Sequence, residues 1–221
     1  MRFVSVLLLL LLFAPLQAEE HSQRASAAMR AGNYAIAYCI WQPLADAGDA
    51  DAQYNIGWLY HNGYGLAVDD RQALYWWQQA ATQKHNDARL ALAALYTHGG
   101  IGVAAAIDKA IPLYIDSLTS GDEEVRLILR NLLLTDKKSR QLLAGHLKIS
   151  DWRQLGDIRT VKSKRANIRQ GPSLGSAVIH VLDQGDSLLA LSRQGRWLQV
   201  VVTQTGLGGW VHASLLAPSS P

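Results

Sequence analysis

The sequence predicts a two-module α + β chain, a solenoid of helical hairpins followed by a small all-β domain. From about Ser22 to Leu134 apolar residues recur at the helical period, alanine is frequent and β-branched runs are scarce. Within that stretch the chain repeats itself. Ala52–Tyr60 aligns with Ala88–Tyr96 at an offset of 36 residues, and Gly63-Tyr64-Gly65 aligns with Gly100-Ile101-Gly102 at an offset of 37. A period of this length marks stacked helical hairpins, each burying its apolar face on its neighbour. Past Asp157 the character changes: Val, Ile, Leu and Thr gather in short runs separated by glycines and by Gly171-Pro172, the pattern of short strands and tight turns.

A chain of 221 residues holds one ordinary domain and a smaller one, and 49% apolar against 18% charged residues is the composition of a protein with a core. At the start, Arg2 precedes an apolar run from Phe3 to Phe13, then Pro15 and Ala18. Residues 1–18 are expected to be a secretory signal peptide, cut before Glu19. The run is shorter than the ~20 residues that cross a bilayer, no later segment qualifies, and no cysteine stands near the cut to carry a lipid. The expected address is therefore the periplasm, with no membrane span after cleavage and no nucleic-acid partner. Cys39 is the only cysteine, so no intramolecular disulfide can form. Ile36, Ile40 and Leu44 flank it at helical spacing, and it is expected as a small buried hydrophobe.

The segment Ala47–Tyr60, then Gly63-Tyr64-Gly65 and Ala73–Ala81, resembles the Sel-one-like repeat, a relative of the tetratricopeptide repeat. Every residue of the pattern serves packing. Gly57 and the alanines allow close helix approach, Gly63 ends a helix with positive φ, and Leu59, Tyr60 and Trp77 fill gaps. The next unit, Ala88 to about Thr119, keeps the pattern less well. Ala106 stands where the first unit has Asp69, a helix cap, and Pro112 falls inside the second helix, which is expected to start late or bend. Asn33–Ala47 reads as the second helix of a preceding hairpin. Closing helices over 122–147 complete a helical domain at 19–147, with Lys137-Lys138-Ser139-Arg140 as a solvated helix start. A linker is expected over 148–159, then the β-domain at 160–217.

In the β-domain, Asn167-Ile168-Arg169-Gln170-Gly171-Pro172-Ser173, Gly185, Gly195-Arg196-Trp197-Leu198-Gln199-Val200 and Gly209-Trp210-Val211 resemble a bacterial SH3-like domain. The resemblance implies a five-stranded barrel with Leu198, Val200 and Val202 facing inward, bent at Gly185, Gly195 and Gly206. Charge separates the modules, with a net of −3 over residues 19–158 and +5 over 159–221. A basic module favours anionic polymers or an acidic protein face. The candidate wall or partner contacts are Lys162, Lys164, Arg165, Arg193, Arg196, Trp197 and Trp210; either tryptophan could instead pack the barrel. No tyrosine follows Tyr114, which disfavours recognition of proline-rich helices.

The seven histidines include no His-Glu-x-x-His pair and no Cys/His cluster at ligand spacing, so no metal and no cofactor is expected. His61 and His98, at near-equivalent repeat positions, are expected as exposed polar residues at helix ends. Serine elbows and phosphate-cradling loops are lacking, and Cys39 does not have the surroundings of a cell-wall cysteine hydrolase. The chain therefore does not read as an enzyme. The resemblances imply a non-catalytic periplasmic adaptor, with helical repeats holding an envelope protein and the SH3-like domain touching peptidoglycan or a wall protein. The alternative is a regulatory subunit of a cell-wall hydrolase or of an envelope machine such as the flagellar motor.

Overall fold

The computed structural model describes residues 20–118 and 122–217. The expected signal segment and its cleavage point lie outside the described residues. No helix among the described residues is long and apolar enough to cross a membrane. The chain divides into two compact units, Met1–Ala106 and Ile107–Pro221.

The first unit is helical: α1 (described over 20–30), α2 (Tyr34–Asp46), α3 (Ala50–Asn62), α4 (Asp70–Thr82) and α5 (Asn86–His98). Side chains before each of the last three helices set their starts. Asp49 accepts the Ala52 N–H at 2.8 Å, Asp69 accepts those of Arg71 and Gln72, and His85 Nδ1 accepts that of Ala88 at 3.2 Å. Each satisfies backbone donors that the first turn leaves free. The α3 helix stops at Gly63, whose φ of 69° lets its N–H return to the Leu59 carbonyl. Ala25, Ala37, Trp41, Ala45, Ala52, Ile56, Leu59 and Trp76 form the core. Gly57 is used for close packing, since a Cβ there would lie 2.6 Å from the Trp77 ring.

Cys39 departs from expectation, being exposed, as is Ile36. The reason is helical phase. Helix α2 turns Ala37, Trp41 and Ala45 inward, and Cys39, two positions from both Ala37 and Trp41, falls on the opposite side.

The second unit opens with α6 (Ile107–Leu118), α7 (Glu123–Thr135), α8 (Lys137–His146) and α9 (Ile149–Leu155). Helix α6 does not start late: Ile107 is the position equivalent to Asp70, and the helix runs through Pro112. Proline withholds one N–H from the helix ladder, a loss that buried Ala110, Ile111, Tyr114 and Leu118 outweigh. At the start of α8, Lys137 and Lys138 are exposed as expected, but Arg140 donates to the Leu133 carbonyl at 3.2 Å. The two hydrogen bonds from Ser139, its hydroxyl at 2.7 Å and its N–H at 2.6 Å, hold the Asp136 carboxyl below the usual carboxylate range.

Where a linker was expected over 148–159, the chain forms α9 and begins its first strand. The Lys148 N–H donates to Asp151 at 2.8 Å, and Trp152 and Leu155, three apart on one helical face, are buried. The strands are β1 (Asp157–Thr160), β2 (Arg165–Arg169), β3 (Val178–Asp183), β4 (Ser187–Gln194), β5 (Trp197–Val202) and β6 (Gly208–His212), followed by a short 3-10 turn at Ala213–Leu215. They form an antiparallel sheet in the order β1-β4-β5-β6-β2-β3. The expected five strands have thus gained a sixth, β1, which pairs Asp157 with Ala190 and Thr160 with Ser187.

Leu198, Val200 and Val202 face the core, with Ile168, Leu182, Leu188 and Val211. Leu189 and Val201, on the opposite face, are buried as well. Helices supply the cover: α9 packs on β1 and β4, and Gly156 lies against Leu189. Arg130 of α7 ties the layers together, donating to the carbonyls of Leu155 and, at 3.1 Å, Leu191.

Candidate ligand-binding grooves

The first unit carries an open groove of about 460 Å³. One wall is a stripe of α3, Tyr54, Trp58 and His61; the other is a stripe of α5, Asp87, Ala91, Ala94 and His98. Both follow from helical spacing, which brings residues three, four, seven and eleven apart onto one face. Trp77 of α4 forms the floor, its indole N–H donating to the Tyr54 carbonyl at 3.1 Å.

The walls are stiffened from behind. Trp58 stacks on Tyr64 at 4.9 Å between ring centres, and Tyr64 stacks on Tyr34 at 4.5 Å. Tyr54 stacks on His85, whose Nε2 lies 2.9 Å from the Asp51 carboxylate. Burial, and then the nearby Asp87 charge, raise the Tyr54 hydroxyl above the ordinary tyrosine range, so it remains a neutral phenol. His61 lies 5.3 Å from Trp77, and its Nδ1 is 2.5 Å from Asp70 Oδ1. The buried Asp70 also accepts the Ile101 N–H at 2.6 Å, joining the end of α3, the start of α4 and the loop after α5. Exposure of His61 and His98 at helix ends agrees with the sequence reading; the Asp70 partner of His61 is new. At the corresponding place the next repeat has Ile107, and His98 has no such partner among the described residues.

The second unit carries a groove of about 600 Å³ beside the β4–β5 hairpin. Leu174, Trp197 and Leu215 give it an apolar wall, and Arg196 stands at its rim. Trp197 meets the His212 ring edge-on at 5.3 Å, and His212 Nδ1 is held 2.7 Å from the Ser214 hydroxyl. The structure brings Arg196 and Trp197 together here and sends Trp210 elsewhere. Trp210 pairs with Gln199 across β5–β6 and lines a smaller hollow of about 190 Å³ with Leu133 and Arg140. Lys162, Lys164, Arg165, Arg193 and Arg196 are all exposed. Arg193 folds back onto the Gly195 carbonyl at 2.9 Å, Arg165 lies 4.0 Å from the equally exposed Asp183, and the Lys162 N–H bonds Leu215 of the groove wall at 3.0 Å.

The α3 wall and Trp77 floor of the first groove, and the whole of the second groove, lie within segments that match two known modules, whereas the α5 wall of the first groove lies beyond the matched segment. The family model of the Sel1 repeat matches residues 50–85, and that of the bacterial SH3 domain matches residues 164–217. The chain carries a Sel1 repeat and a bacterial SH3 domain. Over 109 residues it is 31% identical to protein sel-1 homolog 2 of Homo sapiens, covering 48% of this chain but only 16% of that protein. Among solved structures, a Sel1 repeat protein from Oxalobacter formigenes has a TM-score of 0.48 at 20% identity, covering 61% of this chain and 59% of that one. A protective antigen of uropathogenic Escherichia coli strains, displaying an SLR fold, gives 0.46 at 24% identity over 55% of this chain and 26% of that one. Sel1 repeats and bacterial SH3 domains are typically binding modules, the former for proteins and the latter for cell wall.

Sequence reasoning named Trp197 and Arg196 but missed Leu174, His212 and Leu215, which lie far from them in the chain. It also left the Sel1 groove unassigned. The signal was present: Tyr54-Trp58-His61 and Asp87-Ala91-Ala94-His98 are single-face stripes, but their residue types are equally those of helix packing.

Proposed function

We propose that the chain is a non-catalytic adaptor of the bacterial cell envelope, exported to the periplasm, whose Sel1 repeats hold a protein while its SH3 domain contacts peptidoglycan or a wall-bound protein. The observation that carries this reading is the Trp197 groove, apolar along one wall and rimmed by Arg196, on a module of net charge +5. Wall polymers bearing peptide carboxylates are anionic, and a basic surface draws them in. Exposed charges more than about 8 Å apart are largely screened at physiological ionic strength, so the charged part of the affinity is modest and salt-sensitive. The apolar contact at Trp197 adds a part that salt does not remove.

Pelleting with purified wall sacculi separates the two. Neutralising Lys162, Lys164, Arg165, Arg193 and Arg196 together is expected to abolish the salt-sensitive retention. Trp197→Ala is expected to remove the salt-resistant part, while Trp210→Phe, set in the separate hollow, leaves it in place. Protein that stays wholly in the supernatant at low salt would remove the wall-binding half of the reading. A role as regulatory subunit of a hydrolase or envelope machine, measured as a change in that partner's activity, would then replace it.

A further inference from the structure

The Sel1 groove has a polarity that specifies its occupant beyond the statement that the repeats hold a protein. Asp87 and His98 are eleven residues apart on α5, which is close to three full turns, so they mark the two ends of one stripe about 16 Å long. Between them the groove surface is apolar: Leu90, Ala91 and Ala94 face Trp58 over the Trp77 floor. Apart from the histidines, Asp87 is the one ionisable acid or base among the lining residues other than the phenol of Tyr54, and no Lys or Arg lines the groove. Its carboxylate has no ion-pair partner among the described residues, in contrast to Asp51 and Asp70 nearby, which are engaged by His85 and His61. The unit that holds the groove is acidic overall, with five Lys/Arg against eight Asp/Glu over residues 19–106, a net of −3.

We propose that this groove binds an extended peptide segment of a partner protein, with a lysine or arginine at the Asp87 end and aliphatic side chains along the Trp58–Ala94 stretch. The inference rests on the reading that the Sel1 repeats hold a protein. At about 3.3 Å per residue an extended chain covers the stripe in roughly five residues. The basic end pairs with Asp87 beside the Tyr54 ring, the aliphatic middle covers the indoles and small alanines, and the far end meets the hydrogen-bonding edges of His61 and His98. Small residues at 91 and 94 leave room for the ligand, and a long side chain there would fill its place.

Fluorescence polarisation with the full chain tests this, using labelled, end-blocked Lys-Leu-Val-Leu-Gln, its Gln-first and Glu-first counterparts, and the three reversed sequences. The Lys peptide in one chain direction should bind tightest, about two- to fivefold better than the Gln peptide, the range of a solvent-exposed ion pair; the Glu peptide should be weakest. Asp87→Lys should invert that order, and Ala94→Arg should abolish binding. Both positions are exposed, and thermal unfolding at the wild-type temperature verifies that each variant is folded. The inference is overturned by an order that Asp87→Lys leaves unchanged, by binding that survives Ala94→Arg, or by no binding of any peptide at millimolar concentration. The adaptor reading has its own readout, retention of a protein by the wall-bound chain, and does not fall with the peptide result.

Discussion

Residues 107–221 expressed alone are expected to unfold in one cooperative transition, whereas residues 160–221 are expected to show none. The shorter piece corresponds to the β-module as a sequence pattern, but it omits nearly all of β1 and every helix that covers the outer face of the sheet. Leu189 and Val201, buried in the whole unit, would both face water. Burying a Leu or Val side chain contributes about 1.5–3 kcal/mol, so two of them approach the whole stability of a domain of about sixty residues. The β4 edge would also lose its partner, leaving backbone groups unpaired and open to association. Circular dichroism and urea unfolding of the two fragments decide the matter. Cooperative folding of 160–221 with the stability of 107–221 would show that helices α6–α9 are appendages of the sheet and not part of its core.

The second large effect is expected at Trp77, where alanine should cost about 3–5 kcal/mol, the range for removing a buried tryptophan or phenylalanine. The ring is 2% exposed, floors the groove and lies directly on Gly57. A loss of that size is a large fraction of the roughly 5–15 kcal/mol that holds a typical domain folded. The sharper test is its coupling to Gly57. On helix propensity alone, Gly57→Ala should stabilise by about 1 kcal/mol. The added methyl would lie 2.6 Å from a ring locked in the core, and overpacking of that kind costs about 1–3 kcal/mol. Net destabilisation is expected in the wild type and stabilisation in the Trp77→Ala background, a sign reversal that thermal unfolding of the four proteins reads as coupling. Additive effects would mean that the two residues do not meet.

Which parts of this architecture the sequence announced follows from the range of the interactions involved. The Sel1 hairpin was legible because its determinants are local: Asp69 caps the helix beginning one residue later, and Gly63 ends a helix through a bond to Leu59. The inward set Leu198, Val200 and Val202 was legible because the strand period is two. The phase of α2 was misjudged at Cys39, since Ile36, Ile40 and Leu44 suggest one buried face while Ala37, Trp41 and Ala45 occupy the real one; small alanines carry little weight in a hydrophobic pattern yet make the closest helix contacts. Helix α9 and β1 were hidden because Trp152 and Leu155 are too few for a periodic signal. The cover on the sheet had left a trace in Leu188-Leu189 and Val200-Val201-Val202, runs without alternation that mark strands buried on both faces. The grooves were the least legible, since each joins residues from separate elements. Leu174, Trp197, His212 and Leu215 meet only after the strands have paired.

The central claim is that one chain joins a protein to the wall through two separate surfaces, and a bridging assay measures it most directly. Sacculi loaded with the chain are washed, incubated with envelope extract and pelleted, and both the chain and the proteins it retains are quantified. The wild type is expected to carry a defined protein into the pellet. Ala94→Arg should leave the chain on the wall and release that protein; Arg196→Ala with Trp197→Ala should release the chain while its capture of the same protein in solution persists. Loss of both activities from either change, or a pellet that neither change alters, would contradict an adaptor with two independent binding surfaces.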